Sequence, residues 1–138
     1  MVSGGFGEAA PNMLYANVHI RSLQANAGSS VLNLKVVYAG REYQDIIYLD
    51  VLFSRLDESC QGFDIVYAEE LMLDDLVMPK HQKALMQFLS AAEHMSEGFL
   101  TRIYENGYRY FAQYDDKGEE YLIVAKRLFI GKELLPRL

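Results

Sequence analysis

The segment PKHQKALMQFLSAAEHM, Pro79 to Met95, is the long stretch with clear helical periodicity, and it divides the chain into two strand-rich halves. Leu85, Phe88, Leu89, Ala92 and Met95 recur at spacings of three and four, which places them on one helical face. Gln82, Lys83, Gln87, Ser90, Glu93 and His94 fall mostly on the other. Pro79 suits a first helical position, where its missing N–H is no loss. Gly98 is expected to close the far end in the left-handed conformation. The spacing therefore predicts one main helix over 79–95, laid against a sheet.

Working outward, the flanks alternate with a period of two. Leu14, Ala16, Val18 and Ile20 share one face of a first strand, with Tyr15, Asn17, His19 and Arg21 on the other. The cluster Asn26–Ser30 is a turn. Val31–Tyr38 reads as a second strand and Tyr43–Phe53 as a third, rich in β-branched and aromatic residues. Both faces of the third are apolar, which predicts cover on both sides. Ser54–Gln61 is a polar connection. Gly62–Tyr67 reads as a short strand, and 69–77 as a short helix, since acids favour a helix start. Beyond Gly98, strands are expected over Phe99–Glu105, Tyr108–Tyr114 and Glu119–Ile130. Asn106–Gly107 fits a hairpin turn between the first two. The connections are too short for parallel crossovers. The fold class is therefore α+β: antiparallel strands in one strongly curved sheet or two packed halves, built from two three-stranded meanders, with the 79–95 helix packed on an apolar face. Residues 1–12 read as a flexible tail and 13–138 as a single domain.

The chain has 138 residues, 51% of them hydrophobic and 23% charged, which fits a globular domain. The single cysteine, Cys60, cannot form an internal disulfide, so a reducing, cytoplasmic location is expected. The N-terminus has no basic and apolar signal pattern, and no window is long and apolar enough for a spanning helix.

Charge is distributed unevenly. Residues 1–78 carry 11 acids against 4 bases, and residues 79–138 carry 8 against 9. Asp57, Glu58, Asp64, Glu69, Glu70, Asp74 and Asp75 follow one another with no Lys or Arg between them. Such a run is often a solvated face, and it also suits the attraction of a basic partner. A second concentration is aromatic. Tyr108, Tyr110 and Tyr114 share one face of a single strand, near Tyr104, Tyr121 and the cations Arg102, Arg109, Lys126 and Arg127. Tyrosine offers contact area at little entropic cost, which suits a protein-binding surface. It also stacks on unpaired bases. The acidic balance weighs against nucleic acid, because phosphate binding rests on neutralisation by Lys and Arg.

His19, His81 and His94 are too scattered for a recognised metal motif, and Cys60 has no CxxC partner or neighbouring His. The adjacent acids Glu69–Glu70, Asp74–Asp75, Asp115–Asp116 and Glu119–Glu120 do not resemble a tuned acid/base pair. No Walker, GxSxG, HExxH or EF-hand pattern occurs. The expectation is a non-enzymatic protein-interaction module with no cofactor and no metal. An inhibitor or immunity-type protein fits, steered by Asp57, Glu58, Asp64, Glu69, Glu70, Asp74 and Asp75 and anchored by Tyr108, Tyr110 and Tyr114. Its partner is expected to be another protein with a basic surface. The alternatives are a single-strand nucleic-acid binder using the tyrosine face, and a ligand-binding protein or enzyme with a pocket between helix and sheet. Strand edges and the leucines of the 131–138 tail offer a route to a symmetric dimer.

Overall fold

The computed structural model describes residues 12–26, 28–38, 42–93, 98–131 and 133–134. The N-terminal tail through residue 11, His94, Met95, Leu135 and Leu138 lie outside the described residues. The elements are β1 (Met13–Asn26), β2 (Val31–Tyr38), β3 (Glu42–Leu49), β4 (Phe53–Ser54), β5 (Asp64–Leu71), α1 (Leu73–Leu76), α2 (Gln82–Ala92), α3 (Phe99–Glu105), β6 (Arg109–Asp115), β7 (Glu120–Ala125), β8 (Arg127–Ile130) and β9 (Glu133–Leu134). One 3₁₀ turn, Glu58–Cys60, precedes β5, and a second, Pro79–His81, leads into α2.

The strands form one antiparallel sheet in the order β9-β8-β3-β2-β1-β5-β6-β7-β4. The two ends of that order are joined through the chain. Only Lys126 separates β7 from β8, and β3 leads into β4 through a bend at Asp50, whose φ is 55°. β3 pairs with β8 and β4 pairs with β7. Across the bend, the Lys126 amide donates to the Leu49 carbonyl at 3.1 Å and the Leu52 amide to the Val124 carbonyl at 2.7 Å. The bent strands 42–54 and 120–130 thus run side by side, and the sheet closes into a barrel of six long strands.

The interior is apolar, built from Val18, Ile20, Leu23, Leu32, Leu34, Val36, Ile46, Ile65, Phe111, Ile123 and Leu128. Tyr15 and Tyr48 are in it too, 4% and 0% exposed. The simple alternation of β1 put Tyr15 on the polar face. The left-handed backbone at Asn17, φ 56°, breaks that alternation, so both Tyr15 and Val18 point inward. Asn tolerates this conformation better than most residues.

A helical layer covers the outside of one wall. The connection from β5 to β6 carries α1, α2 and α3, and its core joins Leu76, Ala84, Phe88, Leu100 and Ile103 to Tyr110, Ala112, Leu122 and Val124. The Phe88 ring lies 5.1 Å from that of Phe53, 5.9 Å from Phe99 and 6.4 Å from Tyr110. With the barrel on one side and helices on the other, residues 110–113 and 122–125 are all buried. The doubly covered strands are thus β6 and β7, whereas β3 buries one face through Ile46 and Tyr48.

Several local expectations are corrected. The main helix is α2, 82–92, entered through the 3₁₀ turn. It ends at Glu93, left-handed at φ 55°, whose amide reaches the Leu89 and Ser90 carbonyls; Gly98 instead caps the start of α3. Phe99–Glu105 is a helix, because Leu100 and Ile103 bury themselves at helical spacing. Asn106–Gly107 accordingly ends that helix, with Gly107 at φ 100°, and makes no hairpin. The second trio of strands is β5, β6 and the bent 120–130 strand. Pairing with β1 and β6 carries β5 on to Leu71, and the helix after it spans only Leu73–Leu76. Among the described residues no helix is long and apolar enough to cross a membrane.

Candidate functional site

The seven acids of the run are divided by the strand that carries them. Asp57 caps the 3₁₀ turn: its Oδ1 accepts from the Ser59 amide at 2.9 Å and from the Ser59 hydroxyl, and these bonds hold its carboxyl below the usual range. Glu58 is exposed beside it. Asp64 opens β5 and bonds His19 Nδ1 at 2.7 Å on the surface. Glu69 and Glu70 sit near the other end of β5, roughly 16–20 Å away at about 3.3 Å per residue. Glu70 is part-buried, with Arg109 Nε 3.7 Å from its carboxylate, and burial raises its pKa. Asp74 and Asp75 lie past the strand on α1, exposed.

Tyr108, Tyr110 and Tyr114 do pack on one side, against the core under the helical layer, but they differ in exposure and partners. Tyr110 is 0% exposed; its hydroxyl donates to the Leu100 carbonyl at 2.9 Å beneath the helical layer. Tyr108 is half-buried, with Lys126 Nζ 5.0 Å from its ring centre. Tyr114 is the member that meets the acids: its hydroxyl donates to Glu69 Oε2 at 2.7 Å. Burial, then the Glu69 carboxylate, push the Tyr114 hydroxyl far above its ordinary range.

Two surface features among the described residues bear on the acids and tyrosines of the sequence. The first is the segment around α1. Met72, Val77 and Met78 are 43%, 60% and 50% exposed, and they flank Asp74 and Asp75. Neither acid has an ion-pair partner among the described residues.

The second is a cleft of about 290 Å³ between the helical layer and the sheet, lined by Tyr67, Lys80, His81, Lys83, Ala84, Tyr114, Gly118, Glu119 and Glu120. Its walls are joined by two contacts. His81 Nδ1 lies 2.7 Å from Glu120 Oε2, and Lys83 Nζ lies 3.1 Å from Glu119 Oε2. His81 is 1% exposed and its Nε2 has no partner among the described residues. The Tyr67 and Tyr114 rings are 4.6 Å apart. Burial raises the Glu120 carboxyl, with the Glu69 charge adding to it and His81 opposing.

In the sequence His81 and Glu120 stood only as a scattered histidine and one of two adjacent acids, and Tyr67 was not singled out. His81 and Glu120 are separated by 39 residues, and only the docking of the Pro79–His81 turn against β7 unites them. No local signal could have found them. Among the described residues no group of three His, Cys, Asp or Glu side chains is placed to hold a metal ion. No protein-family model, curated protein or solved structure matches this chain.

Proposed function

We propose that this chain is a non-enzymatic protein-interaction module that engages a basic partner through the face around α1. The observation that carries this reading is the exposure of Met72, Val77 and Met78 around Asp74 and Asp75, which have no ion-pair partner among the described residues. Clustered exposed apolar residues rimmed by charge are characteristic of docking sites, and methionine adapts its shape to a partner. The acids steer the encounter, which makes association faster at low salt. Asp57, Glu58 and Asp64 lie too far along the barrel to share one compact contact with α1; they extend the attractive field. An inhibitor or immunity-type role in the cytoplasm is the form we favour. A nucleic-acid surface is less well supported, since Tyr110 is covered and Tyr114 is bonded to an acid.

The test is affinity capture from the native host, followed by binding measurements with the captured protein. Val77→Asp and Met78→Asp are expected to weaken binding at least about tenfold, which is about 1.4 kcal/mol. Asp74→Lys with Asp75→Lys should slow association and flatten its salt dependence. Unchanged affinity in both sets would exclude this face.

A further inference from the structure

The cleft beside α2 has a distribution of charge that the fold does not explain. Its sheet wall is acidic: Glu119 and Glu120 line it, and Glu69 stands behind Tyr114. Its helix wall is basic, carrying Lys80 and Lys83. Between them lie two tyrosine rings and a buried histidine whose Nδ1 is committed to Glu120 and whose Nε2 has no partner among the described residues. A buried polar atom without a partner is destabilising, so it calls for a reason. Glu69 and Glu120 also repel each other across Tyr114. A cation in the cleft beside Glu120 would offset that repulsion.

We propose that this cleft binds a small zwitterion of the amino-acid type, its ammonium group against the Glu119–Glu120 wall and its carboxylate against Lys80 and Lys83. Each part of the wall has a task in this assignment. The tyrosine faces attract an ammonium group within about 6 Å through the negative potential of the ring. Bonds between an ionised donor and an ionised acceptor are roughly twice as strong as neutral ones, which suits the lysine side. The Lys83–Glu119 pair spans the mouth with side chains 74% and 41% exposed, so it contributes little and exchanges readily for ligand contacts. The volume, about 290 Å³, accommodates a free amino acid. His81 Nε2, at the base, retains hydrogen-bonding capacity that no described residue consumes. This inference is separate from partner docking at α1 and does not depend on it.

The experiment is an NMR titration of the isotopically labelled chain, following the amides of Lys80, Gly118 and Glu120. Glycine, L-leucine and L-glutamine are the probes, each beside its decarboxylated amine and its deaminated acid. At least one amino acid is expected to saturate these shifts with an affinity about tenfold or more above either single-charge counterpart. Lys80→Ala, at an exposed position that leaves the core intact, should weaken that amino acid about tenfold and leave its amine unchanged. Absence of saturable shifts with all three probes overturns the proposal. So does an amine or acid that binds as tightly as its parent, or indifference of the amino acid to Lys80→Ala.

Discussion

The Tyr15 hydroxyl donates to Gln113 Oε1 at 2.9 Å across the barrel interior, joining β1 to β6 over 98 residues of sequence. Tyr48 completes the group, its hydroxyl 2.8 Å from that of Tyr15. Gln113 is 0% exposed and its Nε2 already lacks a partner among the described residues. Tyr15→Phe should therefore strand the rest of the amide as well, a loss of about 1–3 kcal/mol in denaturant unfolding. Adding Gln113→Leu is expected to return part of that loss, because both polar partners are then removed together. Strict additivity of the two changes would mean that the bond contributes nothing.

Asp115 should make stability sensitive to acid. It is 7% exposed, which alone would raise its pKa, but its Oδ1 accepts from the Glu119 and Lys117 amides at 2.9 Å each and its Oδ2 from Tyr121 at 3.1 Å. Those bonds prevail and hold the carboxyl below its ordinary value, while the Tyr121 hydroxyl is pushed up to about 12, chiefly by burial and then by Asp115. The unfolded chain thus takes up this proton first. The stabilisation is present above the ordinary aspartate value, about 3.9, and is lost as pH falls through the lower folded value. Asp115→Asn is expected to be destabilising by about 1–3 kcal/mol at neutral pH, with the gap to the parent closing in acid. A gap that stays constant down to the acid limit would refute the assignment.

Phe88 fastens the helical layer to the barrel. It is 1% exposed and its ring meets those of Phe53, Phe99 and Tyr110. Phe88→Ala should lower stability by about 3–5 kcal/mol, and amide exchange should quicken more in α2 and α3 than in β2. Uniform acceleration throughout would show that the layer and the barrel form one inseparable unit.

Glu93 holds a left-handed conformation, φ 55°, at the end of α2. Glycine reaches that region without steric cost, whereas other residues lose roughly 1–2 kcal/mol there. Glu93→Gly is expected to raise thermal stability by about 0.5–1 kcal/mol after the entropic cost of glycine is subtracted. A fall in melting temperature would mean that the Glu93 side chain makes a contact worth more than the strain.

Periodicity located α2 and the first three strands because each is long enough for its pattern to repeat. It misassigned Phe99–Glu105, where seven residues alternate acceptably as a strand while Leu100 and Ile103 also satisfy a helix. Asn106–Gly107 did not arbitrate, since that pair ends a helix as readily as it turns a hairpin. Barrel closure was not legible either. It depends on Asp50, and on a change of pairing partner at Lys126, neither of which leaves a mark in local composition. The candidate sites were half visible. Asp74 and Asp75 stood out as charge, but the exposure of Met72, Val77 and Met78 is a property of the folded surface. The cleft required residues from β5, β6, β7 and the turn before α2 to converge, and Tyr114–Glu69 joins groups that had appeared as separate concentrations of sequence.

The pairing of the 42–54 and 120–130 strands has a consequence for synthesis. A ribosome delivers the first of these long before the second, so the edge of β3 has no native neighbour until Ile130 has emerged from the exit tunnel. The exposed row of amides and carbonyls is then a template for strands of other chains. Closure must also bring together residues about eighty positions apart, which slows folding. The nascent chain therefore has a vulnerable interval that the finished barrel does not share, and slowing elongation between Gly98 and Ile130 should raise its tendency to aggregate.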